Sequence, residues 1–168
     1  MEKTLISHIG TYLSRLEDRS YLMNSFIMKN SKQLGSLTEI QCISEIIKCG
    51  YDVSIPWGDN CRYDFIIDVN HKLYKVQCKT SSLVEEGVYK FACSSVRMNS
   101  RGYYTTHYTL DEVDFFSTMI NGQCYLIPLS ESSTKEKKLR FVPPKNNQTK
   151  GITFATDYEL SKQLSKLI

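Results

Sequence analysis

A chain of 168 residues, 41% hydrophobic and 23% charged, is long enough to bury one core and too short for two ordinary domains. Eleven Tyr and seven Phe argue against disorder, no apolar run reaches bilayer length, and the start MEKTLISHIG lacks a signal peptide's apolar stretch, so a cytoplasmic protein without membrane contact is expected. The net charge of +3 permits a polyanionic partner without demanding one.

Leu5, Ile9, Leu13, Leu16, Leu22, Phe26 and Ile27 recur at helical spacing over residues 2–32 and predict one or two amphipathic helices, whose apolar stripe packs or makes oligomer contacts. Gly35-Ser36-Leu37 interrupts that pattern. Leu37, Ile40, Ile43, Ile46 and Ile47 resume it up to Gly50, so a further helix carries Glu39 near its start. Residues 1–34 thus read as a helical N-terminal extension and 35–168 as the main domain. Residues 51–56 read as a short strand and Trp57-Gly58-Asp59-Asn60 as a turn. Segments 62–69 and 72–80 are β-rich and joined by Asn70-His71, as in a hairpin. In that pairing Asp64 lies opposite Gln77 or nearly so, and Gln77 and Lys79 share a face while Cys78 points the other way.

Residues 88–94 read as a third strand of this meander, 99–107 as a polar, aromatic loop, and the stretch from Thr109 or Asp111 to Phe116 as a short helix. A strand over 123–128, a charged surface loop over 130–138, an irregular stretch over 143–148 and a terminal helix over 157–167 complete the chain. The six cysteines stand singly, without a C-x-x-C pair or a Cys-His cluster, and read as reduced, mostly packed thiols; a zinc built from residues distant in sequence is the minor alternative.

Glu39, Asp64, Gln77 and Lys79 carry the chemistry. Two converging carboxylates repel unless a cation sits between them, and their hard oxygens suit Mg2+, with Mn2+ as a substitute. A lysine beside them can orient water and stabilise charge on phosphoryl oxygens. The spacing Asp-x(12)-Gln-x-Lys arises often by chance; the GSLTE helix before it and the hairpin around it give it weight.

Glu on a helix, Asp on a strand and acid-x-Lys on the next strand resemble the PD-(D/E)XK nuclease superfamily, with Tyr63 in place of its proline and Gln77 in place of its second acid. A neutral amide oxygen can still face a metal or its water, with weaker attraction. More narrowly, the blocks GSLTE, IPWGDNCRYDFIID and YKVQCKT are similar to the group I intron-encoded homing endonucleases of this type known from cyanobacteria, in which Gln holds the acid position. The likeness continues through residues 108–116, 125–129 and 140–148 and spans about 35–158. It implies a restriction-endonuclease-like α/β core with a mixed central β-sheet flanked by helices. It further implies magnesium-dependent, site-specific cleavage of double-stranded DNA to 5′-phosphate and 3′-hydroxyl ends by a homo-oligomer, tetramer or dimer. Glu39, Asp64, Gln77 and Lys79 carry over as catalytic, with Asp64, Glu39 and Gln77 on the metal.

Two other readings stay open: a structure-selective nuclease such as a Holliday junction resolvase, which shares the core, and a catalytically silent DNA-binding module. Candidate DNA contacts are Ser36, Arg62, Arg97, Arg101, Tyr103, His107, Lys145 and Asn147. Plainer roles stand beside them, Ser36 as a helix cap with Gly35, Arg62 paired with Asp59 or Asp68, and the others on solvated loops.

Overall fold

The structure, a computed structural model, describes residues 30–58, 60–144 and 151–168. The helices expected over residues 2–29 lie outside the described residues, as do Asp59, Lys145 and Asn147.

Helix α1 (Ser31–Lys48) starts from Asn30, whose Oδ1 accepts the Lys32 N–H at 3.0 Å. It runs through Gly35, so the expected break there is absent. An isolated helical glycine costs only about 1 kcal/mol against alanine, and continuing the helix keeps buried Thr38, Cys42 and Ile46 on one face. Ser36 is consequently an exposed mid-helix residue rather than a cap, Glu39 sits well inside α1, and the 34/35 boundary falls within the helix. The chain leaves α1 at Gly50, whose φ of +87° supplies the left-handed stop expected there.

Strands β1 (Asp52–Ser54), β2 (Phe65–Val69) and β3 (Lys72–Cys78) are antiparallel neighbours. The β2–β3 turn places Asn70 at φ 52° and His71 at φ 65°, the left-handed pair that a two-residue hairpin demands, and Asp68 Oδ1 accepts the His71 N–H at 2.8 Å. The expected third strand does not extend this meander. Strands β4 (Ser82–Glu85) and β5 (Val88–Ala92) belong with β10 (Glu136–Arg140) to a separate sheet of order β10-β5-β4. The expected loop over 99–107 is instead a two-stranded hairpin of β6 (Ser94–Asn99) and β7 (Gly102–His107), because Val96 and the run Tyr103 to Thr106 favour strands and Gly102, φ +116°, closes the turn.

No helix forms over 109–116. Residues 109–112 close a turn, with Glu112 Oε2 accepting the Thr109 N–H at 3.1 Å, and strand β8 (Phe115–Ile120) follows. Phe115, Phe116, Ser117 and Thr118 are all buried, and a strand covered on both faces has an apolar run that periodicity does not distinguish from a helix. Strand β9 (Gln123–Pro128) has the expected bounds. The expected loop over 130–138 holds a 3-10 turn (Leu129–Glu131) and the start of β10, where Lys137 is buried with its Nζ 2.6 Å from the Glu131 carbonyl. The terminal helix α2 is short (Leu160–Ser165), preceded by a 3-10 turn (Ala155–Tyr158).

The central sheet is mixed, in order β1-β2-β3-β8-β9, with β3 and β8 parallel. On one face, Cys42 and Ile46 of α1 and Leu160 and Leu164 of α2 pack on Phe65, Ile67, Val76 and Leu126. On the other, Phe91 and Leu139 of the second sheet pack on Phe116, Tyr125 and Ile127. The described α-helices flank one face of the mixed sheet, as the α/β reading expects, and a small sheet covers the other. Among the described residues no helix is long and apolar enough to cross a membrane.

Candidate active site

The site forms where β2 begins and β3 ends. The register Phe65↔Val76, continued by one residue, sets Asp64 opposite Gln77, and Gln77 Nε2 donates to Asp64 Oδ2 at 2.5 Å. The same oxygen accepts the Cys78 N–H at 2.6 Å, and the Gln77 amide also reaches the Cys78 carbonyl at 3.2 Å. Burial nevertheless pushes the Asp64 carboxyl above its ordinary range; the Cys78 N–H, Lys79 and Gln77 pull the other way and only partly offset it. Glu39 faces this cluster from α1. Its carboxyl is also raised, first by burial and then by the negative charge of Asp64.

Lys79 extends β3, its N–H donating to the Ser117 carbonyl of β8 at 2.9 Å. Its Nζ donates to the Tyr108 hydroxyl at 2.8 Å and to the Ser94 carbonyl at 3.2 Å. Cys78 points to the opposite side, where its Sγ lies 2.9 Å from Ser117 Oγ; hydrogen bonding with the Cys42 thiol, and then burial, holds its pKa far above the ordinary range. Such a thiol is packing beneath the site, not a nucleophile. Thr38 and Thr80, their hydroxyl oxygens 3.3 Å apart, tie α1 to the chain just past β3.

The structure therefore brings Glu39, Asp64, Gln77 and Lys79 together. Among the described residues no three His, Cys, Asp or Glu side chains converge, so a cation here would rely on two carboxylates and neutral oxygens. The donor set fits a hard divalent ion. Burial raises both carboxyls and the charge of Asp64 adds to the shift of Glu39, a strain that a cation between them would relieve, and a Gln77 carbonyl and the Cys78 carbonyl are oxygen donors on the same strand.

The candidate DNA contacts scatter. Ser36 is exposed on α1. Asp59 lies outside the described residues, and among those described Arg62 does not pair with Asp68; its Nε lies 3.2 Å from Glu112 Oε1, and its remaining nitrogens reach Ser95 Oγ at 2.8 Å, Thr106 Oγ1 at 3.2 Å and the His107 carbonyl at 2.9 Å. The side chains of Arg97, Arg101 and Tyr103 project from the β6–β7 hairpin with no hydrogen bond or ion pair to another described residue, while the Arg101 N–H donates to Asn99 Oδ1 at 2.9 Å. His107, at its base, has Nδ1 2.9 Å from the Thr134 carbonyl. Tyr108, whose ring lies under the Arg62 guanidinium, was missed by sequence reasoning: no spacing rule links it to Lys79, because the hairpin between them returns only in three dimensions.

A bacterial homing endonuclease, I-Ssp6803I, has a similar fold, with a TM-score of 0.66 and 24% sequence identity over 82% of this chain and 97% of that one. No curated protein matches the chain in sequence. The family described as PD-(D/E)XK endonuclease matches residues 29–161, which include α1, the whole central sheet and all four converging side chains. The chain belongs to the PD-(D/E)XK endonuclease family.

Proposed function

We propose that this protein is a homing-type endonuclease that hydrolyses phosphodiester bonds of double-stranded DNA at a specific site, using Mg2+, or Mn2+ in its place, held by Asp64, Glu39 and Gln77. The convergence of two raised carboxyls with Lys79 at the end of β3 carries this reading. Gln77 in the second acid position, and the likeness in fold to a protein titled a bacterial homing endonuclease, favour the homing type.

A bound divalent cation supplies charge neutralisation at the scissile phosphate and acidifies an attacking water. The chain's own residues do the rest. Asp64, its Oδ2 fixed by the Cys78 N–H, would meet the cation with its other oxygen, while Glu39 would add a second carboxylate from the helix side. Gln77 turns its amide to whichever partner is present, donating to Asp64 as seen here or offering its carbonyl oxygen. Lys79 orients the water and stabilises charge on the phosphoryl oxygens, and the bond breaks to leave a 5′-phosphate and a 3′-hydroxyl. Each site faces one scissile phosphate, so cutting both strands calls for a homo-oligomer, a dimer or tetramer. In this reading residues 35–168 are the nuclease domain and residues 1–34 an extension to it.

The test is incubation with Mg2+ and, in parallel, the duplex spanning the gene's own insertion site, unrelated plasmid and four-way junctions. Cleavage of the first at one position is expected. Preferential cutting of junctions would move the protein to the structure-selective nucleases, and binding without cutting of any substrate would make it a silent binding module. In Asp64→Ala and Lys79→Ala, cleavage should fall about a hundredfold or more while DNA binding stays measurable; full activity in either removes that residue from the mechanism.

A further inference from the structure

Among the described residues, Lys79 Nζ makes both of its hydrogen bonds at one place, the base of the β6–β7 hairpin. Ser94, whose carbonyl accepts one bond, opens β6, and Tyr108, whose hydroxyl accepts the other, follows β7. The Tyr108 ring has little freedom. It meets Phe116 edge-on at 5.4 Å between ring centres, and Phe116 is fully buried on β8 opposite Gln77. The Arg62 guanidinium lies 4.2 Å above the ring centre, and Arg62 is in turn held by Glu112, Ser95, Thr106 and the His107 carbonyl. The hydroxyl is thus a fixed acceptor, built from residues that have no place in the acid-x-Lys pattern.

We infer that Tyr108 is a positioning residue for Lys79, and that Arg62 serves the site by holding the Tyr108 ring rather than by touching DNA. The inference rests on the reading of Lys79 as a group that acts on the scissile phosphate. A lysine side chain has four rotatable bonds and loses more rotamer freedom than most on being fixed, so an unsupported Nζ would sample many places outside the site. Two acceptors at 2.8 and 3.2 Å restrict it and use two of its three N–H donors, which leaves one for water or a phosphoryl oxygen. A charged donor to a neutral hydroxyl is among the stronger hydrogen bonds, so losing it should let Lys79 wander.

Tyr108→Phe tests this, because it keeps the ring against Phe116 and Arg62 and removes only the acceptor. With saturating enzyme and Mg2+, the single-turnover rate on duplex DNA should fall about ten- to a hundredfold, while the Kd for DNA and the melting temperature stay unchanged. A second measurement needs neither metal nor DNA: trace acetylation followed by mass spectrometry. Lys79 should be labelled several-fold faster in Tyr108→Phe than in the unaltered protein, relative to exposed Lys135. Tyr89→Phe, which deletes a hydroxyl bonded to Asn121, serves as the control and should match the unaltered protein in both.

Unchanged labelling together with an unchanged rate overturns the inference. A weaker Kd at constant rate makes Tyr108 a DNA contact and also overturns it, as does a rate loss that follows a lowered melting temperature without faster labelling. If the unaltered protein cuts no DNA, the nuclease reading fails by itself, and the labelling alone still decides whether Tyr108 fixes Lys79.

Discussion

Asp64 has three favourable neighbours, and burial still outweighs them; Glu39 has none that lowers it and one carboxylate that raises it. Both folded pKa values therefore lie above the ordinary 3.8 and 4.5, so the folded protein holds protons that the unfolded chain releases. Stability from these groups is present at low pH and is lost as pH rises from the ordinary values through the raised ones. It follows that Glu39→Gln should melt at a higher temperature than the unaltered protein at pH 7 without divalent metal, and that the difference should shrink as pH falls and vanish below 4.5. Adding Mg2+ should stabilise the unaltered protein more than Glu39→Gln. Thermal melts across pH, with chelator and with Mg2+, check both; an equal response of the two proteins would detach Glu39 from the metal. At this scale the sequence was legible where the hairpin register did the placing, as for Asp64 and Gln77. It was silent on Tyr108, Glu112 and Ser95, which reach Lys79 and Arg62 only because a later hairpin folds back.

Among the elements, α1 shows why a glycine is poor evidence for a break. Gly35 has helical neighbours on both sides, and nothing lies within 4 Å of the position its Cβ would take. Gly35→Ala should stabilise the protein by about 0.5–1 kcal/mol, read as a higher denaturant midpoint at unchanged slope. The β6–β7 hairpin teaches the converse, since its polar and aromatic composition reads as a loop while its alternation makes a ribbon. The pairs Arg97↔Tyr104 and Ser95↔Thr106 share a face, so Arg97 projects on the side where Arg62 grips the base. If this ribbon follows the phosphate backbone, Arg97→Ala and Arg101→Ala should each weaken binding to any duplex and lower the salt slope of log Kd by about 1, with stability changed by less than about 0.5 kcal/mol. Binding titrations at several salt concentrations check this; an unaltered slope would remove the hairpin from the interface.

Among the described residues, Phe116 links the second sheet to the candidate site. It is fully buried on β8, stands opposite Gln77 across the parallel pairing, and touches both Phe91 of the second sheet and Tyr108 of the site. Phe116→Ala should cost about 3–5 kcal/mol, a large share of the stability of a domain this size, and chemical denaturation should show it as a loss common to the entire fold. A change below about 1 kcal/mol would mean that this ring does not hold the second sheet to the central one.

What the sequence by itself determined were the features that depend on neighbours along the chain. The β2–β3 hairpin is written in Asn70-His71 and the flanking β-rich runs, and with it the meeting of Asp64, Gln77 and Lys79; Gly50 ends α1, and β9 stands out between its turns. What only the tertiary structure decided were the features set by partners distant in sequence. Residues 115–120 become a strand because β3 offers a parallel edge and both faces are then covered, a burial that local periodicity does not encode. Strand β5 leaves the meander for the second sheet because β10, more than forty residues on, pairs with it through Leu139↔Tyr89 and its neighbours. The same holds for the support of Lys79: a hydrogen bond spanning 29 residues needs the fold before it can form.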